Sequence, residues 1–180
     1  MEAVMGIPLV WGATDAEVRA GYPCDGVLPG PRSSWYRAVT VRAGVSCVFR
    51  WLCQLRVAPY SYDLLDNMGR RSPRRLTPGA GELAIGQRVM TIFELVSFET
   101  DRHLTLKLTD PRGLRLFGGF AVSYTVADTG RGTTRLVAKL AVGERNGLLG
   151  RARTPLLAWG DLLMMRKQLL TLRDLAESHG

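Results

Sequence analysis

The stretch TPLLAWGDLLMMRKQLLTLRDLAE, residues 154–177, predicts the helix around which the rest of the chain is organised. Its apolar residues recur at steps of four and three, the period of a helix with one buried face. That stripe comprises Ala158, Leu162, Met165, Leu169, Leu172 and Ala176, and it is widened by Trp159, Leu163 and Leu170. Thr154 is the expected N-cap, and Pro155 the first helical residue. A helix with so much apolar surface must pack against something large.

The segment 87–143 supplies that surface, because its apolar and polar residues alternate as they do in β-strands. Strands are predicted over IFELVSFE, HLTLKLT, RLFGGFAVSYTV and TTRLVAKLAV, with turns at 100–102, 110–113 and 128–132. Before them come a predicted strand at 35–42, a helix at 45–55 and a short helix at 61–68. This order predicts an α+β fold, in which a curved antiparallel sheet wraps around the long C-terminal helix.

The first 34 residues are expected to form an irregular extension. They hold four of the nine prolines together with five glycines, a composition typical of loops. The remaining residues, 35–180, are expected to form a single domain, since 180 residues leave no room for a second domain of ordinary size.

Four strings carry a resemblance to a known group of proteins: VFRWLCQL at 48–55, YSYDLLDN at 60–67, ELAIGQRV at 82–89 and GDLLMMRKQLLTLRDLAE at 160–177. With the order of elements, they resemble the SRPBCC superfamily, the helix-grip proteins that include START lipid-binding domains and aromatic polyketide cyclases. The resemblance covers residues 35–177 and implies a START-like helix-grip fold. It supplies no fixed catalytic motif, because a fold does not determine chemistry.

A sheet that curls around one helix need not close tightly, and the space between them becomes an apolar pocket. Strand alternation and the helical stripe select nine residues expected to contact a ligand there: Leu106, Leu108, Leu116, Phe120, Tyr124, Leu136, Leu140, Met165 and Leu169. Tyr60, beside the predicted mouth of the pocket, is a tenth expected contact. The alternative is that the same side chains simply fill a solid core.

Polar groups near the predicted mouth of the pocket give weak catalytic candidates, namely Tyr62, Asp63 and His103. Asp63 lies three residues before Asp66, so two carboxylates share a helical face and are able to split their pKa values for acid/base chemistry. The structural alternative is that Asp63 stabilises a helix N-terminus. His103 opens a strand directly after a turn and would need an orienting partner to act as a base.

The formal charge of +8 and the pI near 10.0 raise the question of an anionic partner. Four arginines, Arg70, Arg71, Arg74 and Arg75, lie in the single segment RRSPRR. Because half of the excess charge comes from one expected loop, a solvated loop is favoured, and nucleic acid is an unlikely partner.

The three cysteines and two histidines have no zinc-ligand spacing, and no glycine-rich phosphate-binding motif occurs. Neither a metal nor an organic cofactor is therefore expected. An odd cysteine count indicates reduced thiols in a cytoplasmic protein. No leader peptide and no membrane span are expected either. The sequence predicts binding of a hydrophobic small molecule, such as a lipid, isoprenoid or polyketide-like compound. A cyclase or dehydratase acting in the same cavity is the alternative.

Overall fold

The computed structural model of the chain describes residues 6–30, 32–61, 71–143 and 148–180, and the side chains of residues 116, 117 and 148–154 lie outside this description. The described strands are β1 Val10–Trp11, β2 Arg32–Val41, β3 Arg88–Val89, β4 Phe93–Glu99, β5 His103–Leu108, β6 Phe120–Gly130 and β7 Thr133–Gly143. The described α-helices are α1 Asp15–Arg19, α2 Val45–Cys53, α3 Pro111–Phe117 and α4 Leu148–His179. Two short 3₁₀ helices cover Pro23–Gly26 and Gln54–Arg56. The predicted short helix at 61–68 lies almost wholly outside the described residues.

The strands form one sheet in the order β1-β2-β7-β6-β5-β4-β3. Every neighbouring pair is antiparallel except β1 with β2, which is parallel. The first long strand, β2, therefore pairs with the last, β7, and the long helix α4 packs against β2 and α2. The predicted α+β arrangement of a curved sheet around a long C-terminal helix is confirmed, apart from the short parallel strand β1.

One core fills the space between the inner face of the sheet and the helices. Alternate residues of β6 and β7 face it, as strand geometry requires. These include Phe120, Val122, Tyr124, Leu136 and Leu140. The predicted stripe of α4 is buried throughout: Ala158, Leu162, Met165, Leu169, Leu172 and Ala176. Trp159 and Leu163 are instead 49% and 55% exposed, because they lie on a side of the helix that no described residue covers.

The predicted strand over 115–126 is wrong in its first part. Pro111–Phe117 form helix α3, so Leu116 belongs to a helix and not to a strand. Asp110 caps this helix, with its Oδ1 accepting from the backbone N–H groups of Arg112 and Gly113 at 2.9 Å each. Pro111 at the first helical position completes a helix-start signal, so the predicted turn at 110–113 is a helix N-terminus instead.

The long helix α4 also begins earlier than predicted. It starts at Leu148, with Pro155 inside it, and so Thr154 is not its N-cap. A proline inside a helix removes one backbone hydrogen bond. The residues before it, LLGRAR, contain leucine, alanine and arginine, which are strong helix formers and favour the extra turns.

The N-terminal segment covers the outer face of the sheet and is not irregular throughout. Cys24 is fully buried there, and its backbone N–H donates to Ser123 Oγ at 2.9 Å. The ammonium group of Lys139 lies 2.6 Å from Asp25 Oδ1 and 5.2 Å from the centre of the Tyr22 ring. This segment therefore supplies a second layer, and the ordered strand β2 begins at Arg32 rather than at residue 35.

Candidate functional site

A cavity of about 440 Å³ lies between α4 and the part of the sheet formed by β4, β5 and β6. Its wall is mainly apolar and includes Ile92, Phe93, Leu108, Phe120, Val122, Leu156, Leu157, Met164 and Met165. Residues 59, 61, 90 and 91 close one side, and Gly160 lies on the helix wall. The volume falls within the range of small-molecule sites, roughly 300–1,000 Å³.

The ten ligand-contact residues predicted from the sequence divide into groups. Leu108, Phe120, Tyr124 and Met165 line the cavity. Leu106, Leu136, Leu140 and Leu169 are fully buried in the adjoining core and are not part of the wall. Tyr60 lines a second pocket, described below, and the side chain of Leu116 lies outside the described residues.

A hydrogen-bonded chain of side chains forms the first polar part of the wall. The Tyr124 hydroxyl donates to Gln168 Oε1 at 2.7 Å, and Gln168 Nε2 donates to the Pro59 carbonyl at 2.6 Å. Tyr124 and Gln168 are both buried, so each satisfies the other's polar atoms away from water. Burial also raises the pKa of Tyr124, which keeps its hydroxyl protonated.

A buried carboxylate forms the second polar part. Asp161 lies on α4, and its Oδ2 accepts from Arg37 Nη2 at 2.9 Å. The Arg37 side chain is fully buried on β2, where Nη1 also donates to the carbonyls of Leu9 and Tyr36. No described residue donates a hydrogen bond to the second carboxylate oxygen, Oδ1, although Asp161 is part of the cavity wall.

Burial raises the pKa of Asp161 to about 6, although the Arg37 charge beside it acts in the opposite direction. Desolvation disfavours the ionised form of a carboxyl group, and here it outweighs the attraction to the guanidinium. The carboxyl group therefore changes its ionisation state near neutral pH.

Asp161 and Gln168 are the site residues that sequence reasoning missed. They lie four residues before and three residues after Met165, so all three share the side of α4 that faces the cavity. The available signal was a pair of polar residues spaced by seven on an otherwise apolar helical stripe.

Of the three weak catalytic candidates, the structure describes only His103. Tyr62 and Asp63 lie outside the described residues. His103 is part-buried at the start of β5, with Nε2 3.0 Å from Ser97 Oγ, and it does not line the cavity. Burial lowers the pKa of His103.

A second, open pocket of about 350 Å³ lies on the other side of Ser61, which lines both pockets. Its wall includes Arg71, Arg74 and Lys167. Arg75 is exposed, and Arg70 lies outside the described residues. The arginine segment thus contributes two cations to the wall of this pocket.

No helix in the described ranges is sufficiently long and apolar to span a bilayer. In the same residues, no three His, Cys, Asp or Glu side chains are grouped so that a metal ion would be held.

Comparison with known proteins identifies the fold. No protein-family model and no curated protein sequence matches the chain. Solved structures do match: a protein of Arthrobacter aurescens has 13% identity and a TM-score of 0.54, over 81% of this chain and 86% of the other. A protein of Mesorhizobium loti has 14% identity and a TM-score of 0.51, over 82% and 99%.

Norcoclaurine synthase from Thalictrum flavum, solved with dopamine and hydroxybenzaldehyde, has 13% identity and a TM-score of 0.50, over 83% of this chain and 89% of its own. At such low identity these matches establish the fold alone. The helix-grip fold expected from the sequence is therefore confirmed: this chain has the same fold as these solved structures.

Proposed function

We propose that this protein binds a hydrophobic small molecule, such as a lipid, an isoprenoid or a polyketide-like compound, in the cavity between α4 and strands β4–β6. The observation that carries the proposal is the cavity itself, which is mainly apolar and carries a few polar groups on its wall. Apolar burial would supply affinity, and the polar groups would fix orientation. Norcoclaurine synthase, which has the same fold, has been solved with small aromatic molecules bound.

Gly160 gives a direct way to test the proposal. It lies on the helix wall of the cavity, and a Cβ placed on it meets no atom within 4 Å. Gly160→Phe should therefore place a ring in the ligand space without displacing the fold. Gly160→Ala is the matched control, because it changes the same backbone position but adds only one methyl group.

The test is native mass spectrometry of the three proteins, purified in parallel and then titrated with N-phenyl-1-naphthylamine as an apolar fluorescent probe. Wild type and Gly160→Ala should bind one equivalent, and Gly160→Phe should lose at least ten-fold in affinity. Equal binding by all three proteins would show that the probe lies elsewhere. An absence of binding to wild type would remove the proposal.

One observation favours a second candidate function, a cyclase or dehydratase acting in the same cavity. Asp161 places a carboxyl group with a pKa of about 6 on an apolar wall. A general acid or base works best when its pKa lies near the working pH. The cavity would then hold a reactive chain in near-attack geometry while Asp161 moves a proton.

The two functions differ in what happens to the bound compound. A carrier returns its ligand chemically unchanged after incubation, whereas an enzyme returns a product of different connectivity or lower mass by one water. For an enzyme, Asp161→Asn should remove conversion and leave ligand affinity within a few fold. Loss of affinity and conversion by the same factor would instead favour simple binding.

We also propose a reducing, cytoplasmic compartment for this protein. Cys24, Cys47 and Cys53 are all free thiols in the structure, and Cys24 and Cys53 are buried. Free thiols persist in reducing compartments.

A further inference from the structure

The polar atoms on the cavity wall differ in whether they remain available to a ligand. The Tyr124 hydroxyl donates to Gln168 Oε1, and the Thr91 hydroxyl donates to the Met90 carbonyl at 2.6 Å. Gln168 Nε2 donates to the Pro59 carbonyl and contacts Met90 Sδ at 3.7 Å. These three side chains therefore have their donors occupied, while the hydroxyl oxygens retain lone pairs.

Asp161 adds the strongest acceptor. Its Oδ2 is held by Arg37, and its Oδ1 receives no hydrogen bond from any described residue. Oδ1 therefore remains available as an acceptor for a molecule in the cavity. A ligand that donates a hydrogen bond to Oδ1 keeps that oxygen paired when the ligand displaces solvent from the cavity.

The charge of the ligand is constrained by the same pair. Asp161 and Arg37 are one anion and one cation in contact, so the site is close to neutral as it stands. A ligand carboxylate or phosphate would add an unpaired negative charge beside Asp161. A ligand ammonium would contact Asp161 but would leave a net positive charge in the site, with Arg37 as the second cation. Burying an uncompensated charge is unfavourable in either case.

We propose that the cavity selects neutral apolar molecules that carry a hydroxyl group, alcohols or phenols, and that Asp161 Oδ1 accepts the hydrogen bond from that hydroxyl. Fatty acids and fatty amines of the same length are discriminated against. This inference rests on the proposed function and names the ligand class of the same site.

The experiment compares 1-decanol, decanoate and decylammonium as displacers of N-phenyl-1-naphthylamine from the full-length protein at pH 8. All three have the same alkyl chain and differ in the head group. 1-Decanol should bind at least ten-fold more tightly than either charged compound. Decanoate binding equal to or tighter than decanol binding would overturn the inference.

Asp161→Asn then assigns the selectivity to this residue. The substitution removes the negative charge and leaves Arg37 without an anion, so decanoate should gain affinity and the decanol preference should fall to three-fold or less. The matched control is Asp174→Asn on the same helix, where the carboxylate is exposed and pairs with Arg173 on the surface. It should retain the wild-type ratio. An unchanged ratio in Asp161→Asn would also overturn the inference.

If the single variant does not fold, the double variant Arg37→Gln with Asp161→Asn removes both charges together. The site then stays neutral, so decanoate and decylammonium should remain weak, whereas 1-decanol should bind at least three-fold less tightly because an amide oxygen replaces the carboxylate acceptor. Unchanged decanol affinity in the double variant would overturn the inference. The failures of the two proposals are distinguishable. Binding of the probe without discrimination among the three compounds contradicts only the ligand class. Failure of both the probe and 1-decanol to bind contradicts the binding function, and the inference falls with it.

Discussion

At the scale of single residues, Tyr124 and Gln168 are the most constrained polar groups in the cavity wall. Their hydrogen bond of 2.7 Å is buried, so removal of either partner leaves the other unsatisfied. A buried polar group without a partner costs roughly 1–3 kcal/mol, whereas removal of both partners together costs less than the sum.

We expect Tyr124→Phe to lower the free energy of unfolding by about 1–2 kcal/mol, and the double variant with Gln168→Leu to be less destabilised than the two single losses added together. Urea denaturation of the two single variants, the double variant and wild type measures this coupling. Strict additivity would indicate that the two side chains do not interact in solution.

Asp161 gives a pH-dependent prediction at the same scale. Its pKa rises from 3.8 to about 6 on folding, so the folded state holds the proton more tightly than the unfolded state. The contribution of Asp161 to the free energy of unfolding is therefore greatest at low pH and is lost as the pH rises from about 4 through about 6.

As the pH rises from 4 to 7, the free energy of unfolding of wild type should consequently fall relative to that of Asp161→Asn. The expected change is at most about 3 kcal/mol, from roughly 1.4 kcal/mol per pKa unit. Denaturation at a series of pH values checks this. A difference that grows in favour of wild type would contradict the raised pKa of Asp161.

At the scale of elements, the Arg37–Asp161 ion pair joins strand β2 to helix α4 across the core. Loss of one partner of a buried pair is strongly destabilising, because it leaves a buried charge alone. Replacement of both partners by apolar residues of similar size removes both desolvation costs at once.

Arg37→Met alone should therefore cost about 3–5 kcal/mol, and the double variant Arg37→Met with Asp161→Leu should recover most of that loss. Thermal unfolding of wild type, both single variants and the double variant provides the measurement. A double variant less stable than Arg37→Met would show that the unpaired charge of Asp161 is not the cause of the lost stability.

The elements themselves were largely predictable, and the errors have physical causes. The α4 stripe from Ala158 to Ala176 and the alternation of β5, β6 and β7 follow directly from burial on one face. Helix α3 was missed because Leu116 fits a period of two with Phe120 and Tyr124. The signal that distinguishes the two is the N-cap Asp110 followed by Pro111, because a short apolar run by itself fits either a helix or a strand.

The candidate site was only partly predictable, for a reason that belongs to packing. Leu108 and Leu136 both face inward, yet only Leu108 reaches the cavity. The sequence shows which face of a strand is buried, but not where the sheet and helix separate. Periodicity also favours apolar side chains, and so it passes over buried polar residues such as Asp161 and Gln168.

At the scale of the whole molecule, both faces of the sheet are covered, but the inner face and helix α4 leave a cavity between them. The N-terminal segment covers the outer face through Cys24 and the Lys139–Asp25 ion pair. On the inner face, β2 and β7 contribute no residue to the cavity wall, whereas β4, β5 and β6 line the open space beside α4. Ligand binding is therefore expected at one end of the sheet.

The most direct test of this account locates a bound molecule by intermolecular nuclear Overhauser effects from 1-decanol to methyl groups of the protein. We expect contacts to Leu108, Met164 and Met165 on the cavity wall, and none to Leu136 or Leu140 in the adjoining core. Contacts confined to the exposed side chain of Leu163, or no saturable contacts at all, would contradict a ligand-binding cavity.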